Sequence, residues 1–486
     1  MKTRNTKLII SLILVFSMGI FIVPDVQAQA RPTIKIGALG PLAITPGEDM
    51  KKGVELAVDE INANGGVTVD STVYDLELFV ETTSGSDGLP NGGVADSSMD
   101  TLINTHQVVA TIGGFRTEVV VGNIMPKTHG AGMPFLGVGS TAPIWTPYYW
   151  RVGPTNGSQL ALGVVNLYLT HLLPNHEVSN VVVVREDATW TVALGGGIKY
   201  YLEALSSGAI SVDMTTMAPI NQAASGSDIS SALDAIASNN DIDAVLHLFS
   251  APVGKTFVEQ WAAKGLNSRT LLAGINVDAQ RSDYFTNTQG AAEGEILYEA
   301  APGDVNPTAK TAAFRTAFNT AYGINPTYTS FAAYDSVYVI KEALERAGDV
   351  SRAAIQNALI DTDYVGTAYK IKFTNEPVEG QVRSLPPPLN ASAGYNVHDL
   401  YTPATIGVKG DPYAQVFFTQ WQADGSKKTV FAGTAEGMAD INLPPYAAED
   451  PIPSSDAKTP FNILMVLVSF ISFATISGLR KKKKFN

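Results

Sequence analysis

Cysteine is absent from the 486 residues. This excludes a disulfide framework, a thiolate metal site and a cysteine nucleophile. It also leaves no cysteine behind a leader to carry a lipid. Histidine is scarce: His106, His129, His171, His176, His247 and His398 are scattered without metal-ligand spacing, so no zinc site is expected. Basic residues are outnumbered, 33 against 46 acidic, and the net charge of -13 disfavours nucleic acid as a partner. No Gly-x-Ser-x-Gly elbow is present. Gly254-Lys255-Thr256 follows a strand-like run, but Phe249 stands where a phosphate-binding loop needs its first glycine. Gly137-Val138-Gly139-Ser140-Thr141-Ala142 imitates a dinucleotide fingerprint, yet Pro143 and Pro147 disfavour the helix that would receive a pyrophosphate. The expectation is therefore a chain with no cofactor, no metal and no catalysis.

The two ends are apolar and basic. Lys2, Arg4 and Lys7, the apolar run Leu8 to Val23 and the small residues Ala28 and Ala30 predict a secretory leader over 1–30. At the other end, 461–479 is a charge-free apolar run followed directly by Arg480, Lys481, Lys482, Lys483 and Lys484. At 1.5 Å per residue such a run spans a hydrocarbon core of ~30 Å, and the basic cluster marks the cytoplasmic side. This predicts a single-pass C-terminal transmembrane helix with a cytoplasmic tail, 480–486, and a Pro- and Ser-containing stalk, 443–460. The folded part then sits on the extracellular face of the cell membrane.

From Thr33 onward, strand-like runs alternate with helical patterns, which predicts an α/β fold of parallel sheets with crossover helices. Ile34 to Leu39 is the first strand. Val54, Ala57, Val58 and Ile61 then fall at helical spacing and the helix stops at Gly65-Gly66. Val181-Val182-Val183-Val184 and Ala244-Val245-Leu246 are continuously apolar, as strands covered on both faces must be. A composition break over Arg151 to Gly157, and a second after Tyr298, divide the chain into two lobes: 31–152 with 300–365, and 153–299 with 366–442.

Ile34-Lys35-Ile36-Gly37-Ala38-Leu39-Gly40-Pro41-Leu42, Gly47-Glu48-Asp49-Met50 and Glu60-Ile61-Asn62-Ala63-Asn64-Gly65-Gly66 resemble the opening of the type 1 periplasmic binding proteins, in their leucine/isoleucine/valine-binding branch. Ile112-Gly113-Gly114, Gly139-Ser140-Thr141-Ala142-Pro143, Glu293-Gly294, Ala333-Tyr334-Asp335-Ser336-Val337 and Trp421-Gln422-Ala423-Asp424-Gly425 match in the same order. The resemblance covers roughly Thr33 to Phe431. It implies two Rossmann-like lobes joined by three crossovers, closing on a small polar ligand, a branched-chain or related amino acid or a similar small carboxylate, for delivery to a permease of the ATP-binding-cassette class. A sensory ectodomain acting through a partner is the alternative that the same lobes allow.

Loops after strand carboxyl ends line the cleft of such folds. Three stand out here. In Gly113-Gly114-Phe115-Arg116-Thr117 the glycines permit close backbone approach, and the resemblance implies that Thr117 holds the ligand's carboxylate. It implies the same for Ser140 and Thr141, and an aromatic cover from Trp190. Tyr334 matches a further cleft aromatic. Where relatives place an acid for the ligand's amine, this chain has Asn276, with Asp278 two residues on. Where they carry a tyrosine, it has Ser250, and Pro46 replaces an aromatic before Gly47. Arg116 offers a cation to a different anion.

Overall fold

The computed structural model describes residues 30–141, 144–153, 156–223, 226–250, 252–374, 398–400 and 416–432. It contains two α/β lobes, each built on one sheet. The first sheet has the order β2-β3-β1-β4-β5-β6, from Val67–Val69 (β2), Thr72–Thr82 (β3), Thr33–Gly40 (β1), Ala110–Phe115 (β4), Phe135–Gly139 (β5) and Tyr149–Arg151 (β6). All its pairings are parallel except β2 with β3. The second has the order β16-β15-β11-β10-β9-β7-β8, from Lys427–Ala432 (β16), Phe417–Trp421 (β15), Ile296–Glu299 (β11), Leu271–Asn276 (β10), Ala244–Phe249 (β9), Asn180–Arg185 (β7) and Ser211–Asp213 (β8). Its two last strands in sequence pair antiparallel, and the rest are parallel.

The continuous apolar runs become central strands. In β7 the four valines are buried, and all six residues of β9 are buried, as helices on both faces require. The helix Thr45–Ala63 buries Met50, Val54, Ala57, Val58 and Ile61 on one stripe. Its end is set at Gly66, where φ is +78° and a Cβ would lie 2.2 Å from the Tyr74 carbonyl oxygen. The helices Thr311–Tyr322 and Tyr328–Ala347 pack on the first lobe through Phe314, Phe318, Phe331 and Val337.

The chain crosses between lobes after β6, after β11, and a third time between Leu400 and Val416, where residues 401–415 lie outside the described residues. The third crossing falls later than the composition suggests. Strands Asp363–Val365 (β12), Lys370–Thr374 (β13) and Asp399–Leu400 (β14) form a small antiparallel sheet. Ile371, Phe373 and Leu400 of that sheet join the first lobe's core. His398 lies flat on Trp150, ring centroids 3.5 Å apart. The stretch 366–374 thus packs with the first lobe, where the sequence reading puts it in the second.

The expected C-terminal transmembrane helix is corrected out of the fold class. Among the described residues no helix is long and apolar enough to cross a membrane. Over the described residues the architecture is two α/β lobes. The runs 461–479 and 1–29, with the stalk, lie outside the described residues.

Asp335 ties the long helix Tyr328–Ala347 to the small sheet. It is buried and accepts from the Thr367 backbone N–H at 2.8 Å and from the Thr367 hydroxyl at 2.9 Å. Burial pushes its carboxyl up to about 7 from the 3.8 of an ordinary aspartate. Between those two values the folded chain holds a proton at this site that the unfolded chain releases, so this group's contribution to stability falls as pH rises. Asp335→Asn cannot titrate. Relative to the variant, the native chain should lose stability from pH 5 to pH 8, read as the change in the difference between their urea midpoints. Gly53 is the closest approach of Thr45–Ala63 to Tyr328–Ala347: a Cβ there would sit 2.5 Å from the Ser330 carbonyl oxygen. Gly53→Ala should lower the unfolding free energy by ~1–3 kcal/mol, as overpacking does, in the same urea titration.

Candidate functional site

Between the lobes lies a cavity with about 440 Å³ of atom-free space, its open mouth included. Its first-lobe wall is the end of β4 (Phe115, Arg116, Thr117), the end of β5 (Gly139, Ser140, Thr141) and Tyr328. Its second-lobe wall is Leu160, Trp190, Ser250, Ile275, Val277 and Tyr298. Both walls are built mainly on strand carboxyl ends and the loops after them, the place where open α/β sheets bind ligands, with Leu160, Trp190 and Tyr328 added from the first turns of helices.

The β4 loop has the least ordinary backbone. Gly113 has φ +131°, and a Cβ there would lie 2.0 Å from the Leu39 carbonyl oxygen. Gly114 follows at φ +77° and Arg116, which is not a glycine, at φ +67°. Holding a side-chain-bearing residue there costs ~1–3 kcal/mol, a kind of strain that concentrates at functional sites. The result aims Arg116 into the interlobe space, where its side chain is 2% exposed. A helix starts immediately after it at Thr117 and continues through a π-wound turn, Val120–Ile124, into Met125–Ala131. Arg151, buried in β6, donates to the Ser140 carbonyl and so braces the β5 loop.

Arg116 meets Glu186 of the second lobe, Nη2 to Oε1 at 3.3 Å, with the carboxylate fully buried. Glu186 is held on its own side. Its Oε2 accepts from the Ser250 backbone N–H at 2.9 Å, and its Oε1 accepts from the Ser250 hydroxyl and, at 2.9 Å, from Trp190 Nε1. Trp190 therefore presents its ring to the cavity while its N–H faces the acid behind it. On Arg116, Nε and Nη2 have no hydrogen-bond partner. Nη2 thus has only the ion-pair contact to Glu186, and leaving buried guanidinium donors without a hydrogen bond is costly.

Other contacts draw the lobes together. Arg281 Nη1 reaches Glu48 Oε2 at 2.9 Å, and Gln280 Oε1 accepts from the Tyr328 backbone N–H at 3.1 Å. Ile44, Phe115, Val277, Ala300 and Tyr328 form a small apolar cluster from both sides of the cleft.

Seven of the expected residues come together on this cavity: Phe115, Arg116, Thr117, Ser140, Thr141, Trp190 and Ser250. Three do not line it. Asn276 turns into the second lobe, where its Nδ2 donates to Tyr284 Oη at 3.0 Å and to Glu295 Oε1 at 2.8 Å. Asp278 hydrogen-bonds Thr45 of the first lobe, and burial raises its carboxyl to about 6. Tyr334 belongs to the first lobe's core edge, with its hydroxyl on Glu60 and its ring 4.5 Å from that of Phe314. The sequence reading did not single out Leu160, Ile275, Val277, Tyr298 and Tyr328. The signal available for four of them was position alone: Ile275 and Val277 end a buried strand, Tyr298 sits at the second crossing, and Tyr328 opens a helix behind the capping residue Thr327. The rejected phosphate-loop mimic is an ordinary helix start, with Lys255 paired to Glu259 at 2.8 Å.

Two α/β lobes with a cavity walled from both sides give a bilobal architecture. Residues 33–383 match the periplasmic binding protein family, and the chain belongs to that family. It is 26% identical to the Leu/Ile/Val-binding protein BraC3 of Rhizobium johnstonii over 357 residues, 70% of this chain and 86% of that protein. Its match to the Leu/Ile/Val-binding protein homolog 8 of Brucella abortus, 24% over 191 residues, spans 37% of this chain and 44% of that relative, less than half its length. In fold it is similar to the branched-chain amino acid transporter substrate-binding protein LivJ of Streptococcus pneumoniae in complex with isoleucine: TM-score 0.61, 19% identity, 82% of this chain and 98% of that one. It is also similar to an ABC transporter solute-binding protein of R. palustris in complex with benzoate: TM-score 0.62, 16% identity, 84% of this chain and 98% of that one.

Glu186→Ala would leave the Arg116 cation buried without a counter-ion, and should lower the unfolding free energy by ~3–5 kcal/mol. Adding Arg116→Met to that variant should recover part of the loss, measured by denaturant unfolding of the three variants beside the native chain.

Proposed function

We propose that this chain is the substrate-binding component of an ABC transporter: it captures a small organic carboxylate between its lobes and presents the closed form to a permease. The observation that carries this reading is the buried, incompletely paired Arg116 on a cavity walled by both lobes. A ligand seated there touches both walls at once, so it binds the closed arrangement better than the open one, and this difference in affinity is what shifts the population. Isoleucine and benzoate, the ligands of the two structurally similar proteins above, are both small carboxylates with an apolar body. The family's role as carriers for ABC permeases supports binding without turnover. Thr117 on the first-lobe wall and Trp190 on the second are the groups whose loss should weaken capture from opposite sides.

Mass spectrometry of what co-purifies with the folded part identifies the ligand. Added back, that compound should raise the melting temperature and reduce the radius of gyration in small-angle scattering. Thr117→Ala and Trp190→Ala should each weaken its binding by about 1–3 kcal/mol, the cost of a lost hydrogen bond to a charged group or of a lost aromatic contact, with circular dichroism unchanged. Native affinity in both variants, or chemical conversion of the bound compound, contradicts the proposal.

A further inference from the structure

We infer that the cleft is selective for apolar monocarboxylates that carry no α-ammonium, with Arg116 as the residue that reads the carboxylate. This rests on the carrier reading above and narrows its ligand. The reason is the charge of the lining. Among the described residues that wall the cavity, Arg116 is charged and no carboxylate is present. The walls are otherwise aromatic or aliphatic (Phe115, Leu160, Trp190, Ile275, Tyr298, Tyr328) with hydroxyls near Arg116.

An amino acid needs an anion for its ammonium, because burying that cation unpaired costs far more than a lost neutral contact. Two nearby carboxylates could supply one, and neither is placed to do so. Glu186 stands behind Trp190, and its two oxygens already take Ser250 N, Ser250 Oγ, Trp190 Nε1 and the Arg116 charge. Asp278 is directed to Thr45 on the opposite lobe. Asn276 is uncharged and its amide faces Tyr284 and Glu295 inside the second lobe. By contrast, the carboxylate side is over-supplied. At 4% exposure Arg116 makes no hydrogen bond through Nε or Nη2, Nη2 having only its 3.3 Å ion-pair contact with Glu186 Oε1, and those two donors share one edge of the guanidinium, the edge that meets both oxygens of a carboxylate. The left-handed backbone at Arg116 and the two glycines before it hold that edge in place.

Paired probes isolate the ammonium. L-leucine and 4-methylpentanoate differ only by that group, as do L-phenylalanine and 3-phenylpropanoate, and each pair is titrated by calorimetry against the native protein freed of endogenous ligand. At least one deaminated acid should bind about tenfold or more tightly than its amino acid, the span expected when a buried charge lacks its partner. Arg116→Met should lose that binding at least tenfold, while Arg116→Lys, which keeps the charge but not the paired donors, should retain part of it. The comparison within native protein does not depend on either variant folding. Equal or tighter binding of the amino acids, or no binding of any of the four acids, overturns the inference. If, in either of those cases, another small molecule still closes the lobes in scattering, the carrier reading stands while the ligand class falls. If no small molecule from an extract closes them, both fall.

Discussion

The Arg116–Glu186 pair is the constraint around which the cleft is arranged. Two opposite charges, each buried, sit on different lobes 3.3 Å apart. Removing both from water is expensive, and their attraction offsets that cost only where further hydrogen bonds complete each group. Glu186 is completed by Ser250 and Trp190. Arg116 is not. The asymmetry gives the cleft its chemistry: the second lobe brings a satisfied acid that orients the arginine, and the first lobe brings a cation that still lacks acceptors.

The rest of the fold makes that asymmetry possible. The first-lobe sheet delivers Arg116 at the end of β4 only because Gly113 lets the strand pass against Leu39, where any side chain would collide. The second-lobe sheet delivers Glu186 one residue past β7, and β9, its neighbour, ends at Phe249 so that Ser250 is adjacent. The parallel register of β7 with β9 therefore sets the geometry of the acid, and helix Thr189–Leu205 sets that of Trp190 in its first turn. Contacts such as Arg281 with Glu48 hold the lobes in a range where Arg116 and Glu186 can meet.

Most of this was legible in the sequence because it is local. Buried parallel strands announce themselves as unbroken apolar runs, and β1, β7 and β9 lie where Ile34 to Leu39, Val181 to Arg185 and Ala244 to Phe249 place them. Loops that follow such strands inherit their position, so Phe115 to Thr117, Ser140, Thr141 and Ser250 are found by counting from a strand end. What could not be read is direction and distance. Asn276 closes a strand on the cleft side of the sheet, but a short amide finds Tyr284 and Glu295 closer than open space. Tyr334 sits on a helix whose rotation is decided by packing on Phe314. Tyr298 and Tyr328 come from segments far apart in the chain, and only the third dimension sets them on one cavity. The third crossing was displaced for a similar reason: β13 and β14 look like continuation strands, yet Ile371, Phe373 and Leu400 complete the first lobe's core.

A buried cation with donors left without hydrogen bonds, set across the cleft from its counter-ion, also bears on how the lobes close. If apolar contact alone favoured closure strongly, the empty protein would rest mostly closed, and a ligand would shift the population little. A cation left short of acceptors works in the opposite sense. Without ligand, closing buries donors that water had satisfied, which opposes the closed state. On the proposed reading, a carboxylate completes the arginine in the same closing, and the apolar walls contribute only then. Under that proposal, differential affinity for the two arrangements, which any carrier of this kind requires, arises from a polar deficit built into one lobe rather than from the area of contact between the two.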